Sequence, residues 1–176
     1  ARALTTLDGG MYYDFVGIQA KPGGGKTSQE AFFDSLGVSE KTVESLRSDQ
    51  RVAIFRSNVT GKPRRIDAFQ GPNVRPGTGS GLITITHDLA DENVDPKGDP
   101  IRNLLNIQDD AREVIAERPN GLHIFALFDG KGGLQLSAPD TVVKDHTVPA
   151  PFTARLQPGI SCIRCHGPHD GLPPFQ

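Results

Sequence analysis

Leu82-Ile83-Thr84-Ile85-Thr86-His87-Asp88 is the stretch that decides how this chain folds. Apolar and polar residues alternate through it, which is the two-residue repeat of a β-strand. Ile83, Ile85 and His87 share one face, while Thr84 and Thr86 share the other, so His87 falls on the apolar side. Working outward, Leu122–Asp129 (LHIFALFD) is apolar on both faces, the pattern of a strand covered on two sides. His123, Phe125 and Leu127 face one way there, and Leu122, Ile124 and Ala126 the other. Asp129-Gly130-Lys131-Gly132-Gly133 turns that strand back into Leu134–Ser137 as a hairpin. Arg51–Ser57 reads as a strand with Val52, Ile54 and Phe55 inward, and Arg64–Phe69 returns beside it. Tyr12–Ala20 is rich in aromatic and β-branched residues and also reads as a strand. Residues 110–117 fit either helix or strand.

Helix is expected between residues 27 and 48. Thr27 and Glu30 form a capping box ahead of Ala31, Phe32 and Leu36, and Gly37 stops that helix. Ser39 then caps a second helix with Val43 and Leu46 on one side. The expected fold class is therefore α+β: a mostly antiparallel sheet, a small helical unit and a C-terminal segment docked on the sheet. The 176 residues make a single domain with room for a real core. Hydrophobic content is 36%, and 20 glycines with 14 prolines describe a loop-rich chain. A net charge of −2 without basic runs argues against nucleic acid as a partner. No apolar run reaches the roughly 18 residues of a membrane span.

Cys162-Ile163-Arg164-Cys165-His166 holds both cysteines of the chain. Cys-x-x-Cys-His is the attachment signature of c-type haem. Two thiols two residues apart can add to the two vinyl groups on one edge of a porphyrin, and the adjacent imidazole can take the iron from below. Cys162 and Cys165 are thus read as attachment residues, with His166 as proximal ligand, for one covalent haem c. Competing readings are a zinc site completed by His166 and His169, a redox dithiol, and a plain disulfide. Zinc would need four ligands crowded into eight residues, and a redox dithiol belongs after a strand in a βαβ unit. Because covalent haem is assembled outside the cytoplasm, the chain is expected to be extracytoplasmic, as a mature or trimmed piece of an exported protein.

The distal side of the iron is less legible. His87 and His123 lie on apolar strand faces and are the distal candidates, each against the plainer reading of a hydrogen-bonded core histidine. Met11, the lone methionine, is an alternative whose ordinary role is packing. His146 sits in a polar stretch, and His169 is too near His166 to reach the opposite face. Arg64, Arg65 and Arg75 are candidates for pairing with haem propionates, against the reading of solvated side chains. Two further motifs compete for attention. Ala20-Lys21-Pro22-Gly23-Gly24-Gly25-Lys26-Thr27 nearly spells a phosphate-binding P-loop between a possible strand and helix, with Ala where the first Gly belongs. The acidic run at 89–100 has the look of a calcium loop without EF-hand spacing.

Three stretches carry a resemblance: Arg118-Pro119-Asn120-Gly121-Leu122 into Asp129-Gly130-Lys131-Gly132, Ala138-Pro139-Asp140-Thr141-Val142-Val143, and Gly159 through Gly167 around the Cys-x-x-Cys-His motif. Together with Arg56–Gly61 and Arg64-Arg65-Ile66, they resemble extracytoplasmic cytochrome c modules of planctomycetes over about a third of the chain. The resemblance implies an exported mono-haem domain, one module of a larger protein, and supplies no settled activity. His87 and His123 stand where that pattern would have Tyr and Gln. The motif lies too near the C-terminus for the common small cytochromes c, and the chain is too strand-rich for the four-helix cytochromes c′. The sheet-rich cytochromes of the c′-β type are an architectural analogy. The expected function is electron transfer with a redox partner protein or a flanking domain. The alternatives are a five-coordinate haem that binds peroxide, oxygen or nitric oxide or acts as a peroxidase, and a P-loop-like nucleotide binder.

Overall fold

The alternating stretch Leu82–Asp88 is the middle strand of an antiparallel meander. A computed structural model describes residues 10–54, 56–57, 60–72, 81–89, 107–118, 123–140, 142, 144, 154–159 and 161–162. Among the described residues the strands are β1 (Arg51–Ile54), β2 (Arg64–Gln70), β3 (Leu82–Asp88), β4 (Ala111–Glu117) and β5 (His123–Asp129). They pair in the order β1-β2-β3-β4-β5, every neighbour antiparallel. Helix is limited to α1 (Gly10–Val16), α2 (Ser28–Ser35), α3 (Glu40–Glu44) and one turn of 3-10 helix at Ser48–Gln50.

The register sorts the side chains into rows. On one face Phe69, Ile83, Ala116 and Ile124 form an apolar row; the next holds Asp67, Ile85, Val114 and Ala126; the third holds Arg65, His87, Arg112 and Phe128. The helices cover this face. Phe32 of α2 meets Phe128 with ring centres 5.9 Å apart, and Phe33, Val38 and Leu46 join the same buried cluster. On the other face the rows are Ile66, Thr86, Glu113, Leu127 and then Ala68, Thr84, Ile115, Phe125.

The expected α+β class is corrected. The domain is mostly a five-stranded antiparallel sheet with little helix, its three helices being seven, eight and five residues long. Within the helical unit at 27–48 the first helix forms as expected, capped by Thr27 and ended at Gly37, which takes a left-handed φ of 72°; the second is shorter than expected, stopping at Glu44. Helices this short are not stable on their own; packing of Phe32, Phe33 and Val38 on the sheet holds them. The capping box does form: Thr27 Oγ1 accepts from the Glu30 N–H at 3.2 Å, and Glu30 Oε2 accepts from the Thr27 N–H at 2.6 Å.

The strand expected over Tyr12–Ala20 is instead α1. Its tyrosines are spent on the sheet edge: the Phe125 N–H donates to Tyr12 Oη at 2.8 Å and the Leu127 N–H to Tyr13 Oη at 2.9 Å. Tyr13 also donates to the Gln135 carbonyl at 2.8 Å. Two phenols thereby satisfy the outward N–H groups of edge strand β5, which guards it against pairing with another chain. Residues 110–117, open between helix and strand, form β4 because they pair along both sides. The expected hairpin partner at Leu134–Ser137 is reduced to a bridge between Phe128 and Leu134. No helix among the described residues is long and apolar enough to cross a membrane.

Candidate functional site

The face opposite α2 and α3 carries a groove. Ile66, Ile115, Leu127, Val142, Leu156 and Cys162 lie along its walls, and it encloses about 290 Å³. Three of these residues belong to the sheet. The rest come from the strand-poor chain after β5, which returns over this face through hydrogen bonds such as the Ala138 N–H to the Leu156 carbonyl, 2.8 Å. Gly159, with φ of 81°, makes the close passage possible: a Cβ there would stand 2.7 Å from the Tyr12 ring. Only a glycine satisfies both conditions. Two residues on, Ser161 closes the turn by accepting from the Gln157 N–H through Oγ at 3.0 Å, and Cys162 follows.

The Cys162 Sγ lies 3.6 Å from Glu113 Oε1. Glu113 is half-buried in the middle of the groove face, and its desolvation raises the pKa of its carboxyl against the pull of the Arg64 charge. Arg64 is already spent on Asp88 through paired contacts of 2.8 and 2.6 Å, in the fork geometry of a strong guanidinium–carboxylate pair. Burial also raises Tyr12 to about 12, and Tyr13 rises for the same reason. Cys162 therefore sits beside a carboxyl whose pKa burial raises and two phenols raised for the same reason. The surroundings are apolar and weakly charged, unlike the electropositive setting that makes a cysteine reactive.

These features bear on the predicted haem attachment. The apolar wall and the thiol on it suit one edge of a porphyrin. Arg64, committed to Asp88, is no spare partner for a propionate. Of the other predicted attachment residues, Cys165 and His166 lie outside the described residues, as do His146, His169, Arg75 and most of the acidic 89–100 run. Among the described residues Cys162 alone represents the predicted donor set, no group of three or more His, Cys, Asp or Glu side chains is placed to hold a metal ion, and a sheet this dominant is not the helical scaffold expected of a c-type haem domain.

The distal candidates separate sharply. His87 lies on the helix-covered face, across the sheet from Cys162, with both ring nitrogens engaged: Nδ1 is 2.8 Å from Asp109 Oδ2, and Nε2 is 3.2 Å from Asp67 Oδ2 and 3.0 Å from Arg65 Nη2. It is withdrawn as a distal ligand. His123 shares the groove's face, in the row beyond Phe125. Met11 is half-exposed on α1. No protein-family model matches the chain, and neither a curated protein nor a solved structure matches it significantly.

The P-loop reading also loses its context. A short helix precedes the glycines instead of a strand. At the start of α2 the Glu30 N–H is taken by Thr27 Oγ1 and the Gln29 N–H by the Gly132 carbonyl, leaving these donors closed to phosphate. Lys26, the residue that would reach a phosphate, pairs with Asp34.

Sequence reading missed the charged cluster around His87. Asp67 is fully buried, with Oδ1 3.0 Å from Arg65 Nε and 3.8 Å from Arg51 Nε. Its angles do not make these hydrogen bonds, so the attraction there is ionic. Asp109 binds Arg112 through paired contacts of 2.5 and 2.9 Å, and Arg112 reaches on to Gln29 Oε1 and the Gly130 carbonyl, each at 3.0 Å. Burial would raise the Asp109 carboxyl, but hydrogen bonds from His87 and Arg112 outweigh it and hold it at about 2. The signal was present in Arg65, Asp67 and Phe69: at a two-residue repeat they must share a face with the inward side of β3.

Proposed function

We propose that this chain binds one haem c through thioethers from Cys162 and Cys165, with His166 on the iron, and transfers electrons outside the cytoplasm. The observation that carries the reading is the position of Cys162, first residue of a Cys-x-x-Cys-His motif, on the wall of a largely apolar groove. A flat apolar cofactor is a fitting occupant of such a concavity. When bound, the haem supplies a one-electron couple. The protein's part is physical: Ile66, Ile115, Leu127, Val142 and Leu156 exclude water, Cys162 fixes one edge, and burial raises the Glu113 carboxyl beside it. The electron partner is a second redox protein or a flanking domain of the same chain.

A second reading is favoured by the placement of His87 across the sheet. With that ligand removed, His123 is the remaining strand candidate, and an iron with an open sixth position becomes the competitor, suited to peroxide, oxygen or nitric oxide. Visible spectra of the exported holoprotein separate the readings. Sharp low-spin bands unmoved by carbon monoxide support electron transfer, and His123→Ala is then expected to convert them to high spin. Bands that shift with carbon monoxide support the open site, and absence of haem bands sinks both.

A further inference from the structure

The helix-covered face holds a second cavity, of about 520 Å³, open to solvent between α2, α3 and the end of the sheet. That is within the size range of small-molecule sites. Its floor is unusual in charge. Arg51, Arg65, His87 and Arg112 line it, and the carboxylates that answer them from below are Asp67 and Asp109. Arg51 and Arg65 share the single carboxylate of Asp67, one positive charge in excess at that end of the floor, while Arg112 is paired with Asp109 and Glu30 and Glu44 stand at the rim. The Arg51 and Arg65 side chains are each only 11% exposed, and burial lowers the Arg65 pKa despite the neighbouring Asp67. Excess buried cationic charge is costly unless a counter-charge completes it.

We propose that this cavity binds a small anion, a carboxylate or an inorganic oxyanion, seated on Arg51 and Arg65, with Arg112 held beside it by Asp109. Arg51 is the least committed of the three. Its hydrogen bond goes to the Val43 carbonyl at 3.1 Å, its ion pair with Asp67 is long at 3.8 Å, and its Nε has no hydrogen-bond partner. A guanidinium fork matches a carboxylate or oxyanion edge in geometry as well as charge. The rim restricts what enters. Asp34 is neutralised by Lys26 and Glu30 is turned into the helix cap, which leaves Glu44 facing the cavity. A compact anion bound deep avoids Glu44, whereas an extended polyanion would meet it. The site lies across the sheet from Cys162 and stands independently of the haem reading.

The test is calorimetric titration of the full chain with inorganic phosphate, sulfate, acetate and succinate, each against chloride at matched ionic strength. One-to-one binding of at least one of these, weakened tenfold or more by Arg51→Gln and unchanged by Arg155→Gln on the far side, is the expected result. Binding only of phosphate and sulfate assigns an oxyanion site; binding only of the carboxylates assigns a carboxylate site. Heats indistinguishable from chloride, or a folded Arg51→Gln that binds like the unaltered chain, overturn the proposal. Should Arg51→Gln fail to fold, the Nε–H resonances of Arg51 and Arg65 in the unaltered chain decide: they shift on titration, or the proposal is wrong.

Discussion

The two faces of the sheet solve opposite problems. One is covered by helices yet carries ions at one end, with Asp67 and His87 both buried. The other carries a largely apolar groove, with Ile66, Ile115, Leu127, Val142 and Leu156 along its walls. Burying charge runs against the usual partition, and an apolar concavity is the usual form of a binding site. The comparison teaches that cover alone does not define this core. The covered face is held by a connected ion network, and the groove face is the one that a large apolar group would complete.

The largest effect expected is on the ion network. Asp67→Ala leaves Arg51 and Arg65 buried without their shared counter-charge, and breaking a buried pair in this way costs about 3–5 kcal/mol. Urea denaturation measures it; a loss below about 1 kcal/mol would show that the covered face does not depend on the network. Asp109 gives a pH-dependent version of the same test. Its folded pKa of about 2 lies below the ordinary aspartate value of 3.8, so its contribution is full above the unfolded value and disappears as pH falls through the folded one. At about 1.4 kcal/mol per unit this amounts to about 2 kcal/mol. In Asp109→Asn the stability curve between pH 5 and pH 2, both rough bounds of that window, is expected to lose this component.

The groove face predicts the opposite sign. Glu113 is raised, so the folded state holds the proton that the unfolded state releases, and stability falls as pH climbs from the ordinary carboxylate range toward the raised pKa. Glu113→Gln is therefore expected to stabilise the chain at neutral pH and to leave it unchanged in acid. A destabilised Glu113→Gln at neutral pH would mean that its charge is used. The smallest effect belongs to the cover itself. Thr27→Ala removes the α2 cap and costs about 1 kcal/mol, read in a thermal melt.

How far the sequence revealed these faces depends on what set each element. β3 was legible because alternation in Leu82–Asp88 is a local property, and so was the Thr27–Glu30 cap. Residues 111–117 (AREVIAE) were not, since their helix-favouring Ala, Arg and Glu are overruled by strands on both sides, a choice made by the tertiary fold. α1 was misread because Tyr12 and Tyr13 suit a strand, while their hydroxyls serve the edge of a strand more than 100 positions later in sequence. Pattern placed His87 on the inward face correctly. It could not show that Arg51, Arg65, Asp67, Asp109 and Arg112 would gather there, because charged residues are read as outward by default. The thiols of the Cys-x-x-Cys-His motif were visible at once, but the groove under Cys162 comes from pairing registers that only the fold displays.

A haem held covalently on the groove face is checked by the intact mass of the exported protein under denaturing conditions, beside a Cys162→Ser, Cys165→Ser variant. The expected result is the mass of the chain plus one haem, with the pigment retained after unfolding and lost in the double variant. A chain at its bare mass, or a pigment released by unfolding alone, would contradict it.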